Sequence, residues 1–147
     1  MILEHDGYFI KPLPDNILDT FTDVLKLDTL DPFSKQYNNL ITEQQSQPLV
    51  ISKYYNSQAK TVDPTLNWGE KIKTGNYIRG AYSYIIKPHA AKKIINWIDE
   101  NGFVPADQQI GDSVVDIQVV TPTIVRLHPD YLNRIGELSL TGNPNLL

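Results

Sequence analysis

Glu4 and Asp6, two positions apart in Met1-Ile2-Leu3-Glu4-His5-Asp6-Gly7, are the residues whose types and spacing could do chemistry. An apolar run that ends in Glu-x-Asp reads as a buried strand whose last residues emerge at the edge of a sheet. Side chains alternate along a strand, so Glu4 and Asp6 share one side and His5 takes the other. Two carboxylates on one face supply hard oxygen ligands suited to Mg²⁺ or Mn²⁺, and an ion held there can bridge to the phosphates of a nucleotide. The plain alternative is a solvated strand end, a common place for Asp and Glu. Gly7 lets the chain turn away tightly. Only three residues precede the pair, whereas a strand leading to a metal site usually lies mid-sheet, so the sequence reads as beginning partway through a fold.

The elements that must position this pair come from a chain sized for one domain. Its 147 residues can bury a real core, and with 41% hydrophobic and 20% charged residues the composition is that of a globular protein rather than a disordered one. The net charge of -4, from 13 Lys and Arg against 17 Asp and Glu, argues against a nucleic-acid partner, which needs a concentrated basic surface. Without cysteine there is no disulfide framework, thiolate metal site or Cys nucleophile. No apolar stretch approaches the roughly 20 residues that cross a bilayer, and the N-terminus lacks the pattern of a signal peptide, so no membrane span and a cytoplasmic location are expected.

Along the chain, Phe9-Ile10 reads as a short extended piece, and Pro14-Asp15 opens a helix with Asp15 as N-cap and Ile17, Leu18 and Phe21 on its apolar face. Val24-Leu25-Lys26-Leu27 is a second strand. Residues 31–47 are polar and read as loop or weak helix; residues 48–55 form a better strand. Residues 56–73 lose periodicity, and a loop that long is often functional. Residues 81–86 are a strand. Pro88 then starts the clearest helix, with Ala90, Ala91, Ile94, Ile95, Trp97 and Ile98 as its apolar face and Asn101-Gly102 as its stop. Residues 103–107 are extended and end in Asp107, residues 114–120 and 123–127 read as two strands of a hairpin around Thr121-Pro122, and residues 130–147 form an irregular tail. The loose alternation of strands and helices predicts a mixed α/β sandwich over residues 1–129.

Leu3-Glu4-x-Asp6 closing a strand, Gly80-Ala81-Tyr82-x-Tyr84-Ile85-Ile86, the helix of Pro88-His89-Ala90-Ala91-Lys92-Lys93 and then Pro105-x-Asp107 together resemble glycosyltransferase family 25, which includes lipopolysaccharide and procollagen galactosyltransferases. The resemblance runs from about Met1 to about His128 and rests on the order of its motifs. It implies a GT-A-like αβα sandwich, present here in part, without the upstream units that cradle the nucleoside. It also implies Mn²⁺ or Mg²⁺ as cofactor, a UDP-sugar donor and a saccharide acceptor.

By the match, Glu4 and Asp6 stand at the metal and sugar-nucleotide site with Asp6 the direct ligand, and Asp107 faces donor or acceptor as the catalytic carboxylate. His5 departs from the acidic residue usual there. His128, following a strand, takes the place of a late metal-ligating His, or is simply structural. Asp107 can equally cap a turn at residues 108–111. Arg79 and Lys73 flank the long loop, where they can neutralise a diphosphate or merely solvate the surface. Tyr77, Tyr82 and Tyr84 pack a core or stack on sugars. The leading expectation is therefore a metal-assisted hexosyltransferase or its remnant, incomplete as an isolated chain. The rival is a non-catalytic assembly module that keeps half the fold and pairs as a homodimer.

Overall fold

The computed structural model describes residues 1–3, 7–28, 42–43, 46–55, 76–78, 81–103 and 106–128, with the backbone alone at residues 107 and 108. Among them seven short strands fall into two sheets: β1 (Ile2–Leu3), β2 (Gly7–Phe9), β3 (Val24–Lys26), β4 (Val50–Lys53), β5 (Ser83–Ile86), β6 (Ile117–Thr121) and β7 (Val125–Leu127). Five of these make one mixed sheet in the order β1-β5-β3-β6-β4, while β2 and β7 form an antiparallel ribbon. β5 runs antiparallel to both β1 and β3, and β3 runs parallel to β6, so β1, β3 and β6 point the same way and end at one edge.

β3 is central because its sequence can be buried on both faces. Every residue from Asp23 to Asp28 is buried. Leu25 and Leu27 enter one core with Phe21, Ile85, Val120 and the ribbon residues Val125 and Leu127. Val24 enters the other with Tyr84, Ile117 and the helix residues Ala90 and Ile94. The two-residue alternation of a strand thus feeds two opposed cores from one sheet, an α/β arrangement with a helix on one face and the ribbon on the other.

The helix is α1 (Pro88–Asn101), with Pro at its first turn, where the missing N–H costs nothing. Gly102 ends it at φ 91°, its N–H donating to the Ile98 carbonyl at 2.7 Å. The buried seam is narrower than the sequence predicts: Ala90 and Ile94 are buried, Trp97 and Ile98 are half-buried, and Ile95 is 51% exposed. Helical spacing sets 90, 94, 97 and 98 on one stripe and turns 95 away. A second helix, α2 (Ala106–Gln109), leads into Ile110, which is buried beneath α1 in the same core.

Four further expectations differ from the fold. β1 is an outer strand, with Ile2 42% and Leu3 37% exposed, because among the described strands β5 is its one partner. The stretch after Pro14 closes as a single 3-10 turn, Ile17–Asp19, whose N-cap is Asn16 rather than Asp15 and carries no side-chain cap bond. Its short length follows from Phe21, which must already enter the core. β6 and β7 are not a hairpin: β3 and β4 flank β6 on both sides, so residues 125–127 find their ladder on β2 instead. The piece ending at Asp107 becomes helical at Ala106. The expectations for residues 31–41, 56–73 and 130–147 lie outside the described residues.

Candidate functional site

Parallel strands in an open α/β sheet gather ligands at their carboxyl ends, since that edge collects the loops that leave the core. Here that edge holds the ends of β1, β3 and β6. Glu4, Asp6 and Arg79 lie outside the described residues, as does the Asp107 side chain. What the structure gives is the frame around them.

The frame is tight on both sides of residues 4–6. Leu3 pairs with Ser83 on β5, and Gly7 pairs with Leu127 on β7. A Cβ at Gly7 would lie 2.9 Å from Leu3 Cδ1, 3.4 Å from Val125 Cγ1 and 3.5 Å from Tyr82 Cδ2, so glycine allows a close approach of β2 to β1. His128 follows Leu127 directly. Its ring meets Tyr8 edge-on at a centroid distance of 5.7 Å, and the Arg126 guanidinium lies 5.7 Å from the centre of the Tyr8 ring. Arg126 and His128 therefore share one face of the ribbon with Tyr8 between them.

At the end of β3 stands a charged group that the sequence reading passed over. The Lys26 ammonium is hydrogen-bonded to Asp28 Oδ2, with both side chains almost wholly buried. The Ser83 hydroxyl donates to Asp28 Oδ1 at 3.1 Å, and the Lys26 ammonium lies 5.5 Å from the centre of the Tyr82 ring. Burial pushes the Asp28 carboxyl up from its ordinary range, against the pull of Lys26, Tyr82 and Ser83. The available signal was opposite charges at i and i+2 inside an otherwise apolar strand, which places both on one side. Tyr82 and Tyr84 are buried core residues, the packing alternative rather than a sugar platform.

A second polar cluster lies at the start of β3. Asp23 accepts from His89 Nε2 at 2.6 Å, from Lys93 Nζ at 2.8 Å and from the Asp116 backbone N–H at 3.0 Å. Burial pushes its carboxyl up, but the bonds from Lys93, Asp116 and His89 outweigh that and hold it at about 2. Thr22 Oγ1 donates to Asp116 Oδ2 at 2.5 Å. This cluster ties α1 and β6 to β3 at the edge opposite the ends of the parallel strands.

Among the described residues no three His, Asp or Glu side chains come together to hold a metal, and no helix is long and apolar enough to cross a membrane. No family model, curated protein or solved structure matches the chain to a significant degree.

Proposed function

We propose that the chain carries the carboxylate motif of a GT-A-like glycosyltransferase, binding a nucleotide-diphosphate hexose with a divalent metal for transfer to a saccharide hydroxyl. The observation that carries this reading is the ladder between β1 and β5, Leu3 on Ser83. It sets the strand leading to Glu4-x-Asp6 against the Gly-Ala-Tyr-x-Tyr-Ile-Ile strand, two parts of the resemblance far apart in sequence.

The donor set of the reading fits Mn²⁺ or Mg²⁺ chemically. Glu4 and Asp6 offer hard oxygens, and the Gly7–Leu127 pair supports adding the imidazole of His128, because Asp6 and His128 each adjoin a member of that pair. The chemistry such an ion supplies is neutralisation of charge on the departing diphosphate. In this reading Arg79 adds a cation to the diphosphate, and Asp107 binds or deprotonates the attacking hydroxyl. α2 carries Asp107 on a segment anchored by Ile110, whose N–H donates to the Ala106 carbonyl at 3.0 Å and whose carbonyl accepts from Ile78 at 2.7 Å.

The test is thermal. A ligand that binds the native state alone raises its melting temperature by mass action. Millimolar Mn²⁺ is expected to raise the melting temperature of the wild type and to leave Asp6→Asn unmoved; a wild type indifferent to the metal refutes the metal-assisted reading.

One observation favours a second reading, an assembly module. The outer edge of β1 has no described partner, Ile2 and Leu3 are exposed, and beside them Met1, Phe9 and Leu13 line an open groove of about 490 Å³. Such an edge recruits another strand. Chains that dimerise and take up neither metal nor UDP-sugar would support this reading instead.

A further inference from the structure

A fully buried ion pair is a poor source of stability, since well-packed apolar residues of similar volume often do as well or better. Lys26 and Asp28 nevertheless occupy the end of the central strand, 3% and 1% exposed. Their contacts reach both flanks of residues 4–6. Asp28 holds the Ser83 hydroxyl, and Ser83 pairs with Leu3 on the upstream side. Lys26 lies over Tyr82, and Tyr82 packs 3.5 Å from the Cβ position of Gly7 on the downstream side. The backbone between them adds a third link: the Leu27 carbonyl accepts from Ile124 and Val125 at 2.9 and 3.3 Å, which hangs β7, the partner of Gly7, on the same point.

We infer that Lys26, Asp28 and Ser83 are positioning residues, a buried polar hub that fixes the chain ends on either side of Glu4-x-Asp6. A buried polar network with directional bonds has one satisfied geometry, whereas an apolar contact tolerates small slips. The hub therefore sets where β1 leaves the sheet and where β2 re-enters it. Its link to metal binding rests on the function proposed above; its effect on the chain ends does not.

The experiment separates the two. Amide exchange is measured residue by residue in the wild type, in K26M/D28L, and in Ser83→Ala, a milder change should the double variant fail to fold. Mn²⁺ is titrated into the same samples. The expected result is exchange at least about tenfold faster at Ile2 and Tyr8, whose amides face β5 and β7, with α1 unchanged, weakened Mn²⁺ binding, and recovery of both in Ser83→Thr, which keeps the hydroxyl. Unchanged exchange at Ile2 and Tyr8 overturns the inference. So does a uniform rise that includes Ile94 and Ile98, which marks the hub as merely structural. If the wild type takes up no Mn²⁺, the metal reading falls and the exchange data alone decide the positioning role.

Discussion

At the scale of single residues, Asp23 couples the fold to pH. Its side chain is 6% exposed and its carboxyl is held at about 2 against an ordinary 3.8. A carboxylate whose folded value lies below its unfolded one stabilises the native state above the unfolded value and loses that contribution as pH falls toward the folded one. At roughly 1.4 kcal/mol per unit, the contribution is about 2 kcal/mol, present at pH 7 and lost between about pH 4 and pH 2. Urea unfolding at pH 7, 4 and 2.5 is expected to show that loss in the wild type. Asp23→Asn is expected to be about 2 kcal/mol less stable at pH 7 and to lack this part of the acid dependence. Little of this was legible in the sequence. Asp23 stands between Thr22 and Val24 at the mouth of a strand, and its partners His89 and Lys93 come from a helix far along the chain.

At the scale of elements, α1 and β3 were readable because their signals are local. Pro88 opens the helix, Gly102 closes it, and the run from Val24 to Leu27 is apolar enough to be a strand in almost any fold. What local signals miss is how many neighbours an element acquires. The apolar residues of α1 mark a face wide enough to take in Ile95, yet only the stripe through Ala90 and Ile94 meets the sheet. Ile94→Ala is accordingly expected to cost about 2 to 4 kcal/mol. Ile95→Ala is expected to change stability by no more than about 0.5 kcal/mol, both by denaturant unfolding. The same blindness made a buried strand of β1. Its apolar residues are real, but among the described strands its position is at the rim, and Ile2→Lys is predicted to abolish any self-association seen by light scattering while leaving the melting temperature nearly unchanged, since a charge blunts such an edge.

At the scale of the whole molecule, the sequence pattern was sufficient for a mixed α/β class, but not for the layering, in which one central strand feeds two cores with a helix on one face and a ribbon on the other. Nor was it sufficient for topology: residues 117–121 and 125–127 are close in the chain but belong to different sheets, a choice made by the strands already flanking β6. The candidate site shows the same division. Glu4 and Asp6 could be singled out by type and spacing alone, whereas the Lys26–Asp28–Ser83 hub emerges only when β3 and β5 are paired. The parallel ends of β1, β3 and β6, the ribbon that brings Gly7 to Leu127, and that hub all frame the place where a metal-assisted sugar-nucleotide site is proposed. Calorimetric titration of a UDP-hexose into the protein tests that proposal most directly. With Mn²⁺ present, saturable binding is predicted that disappears when the metal is chelated and in Asp6→Asn; a wild type that gives no heat with Mn²⁺ and UDP-hexose together, or that binds the nucleotide sugar equally well without the ion and without Asp6, would contradict it.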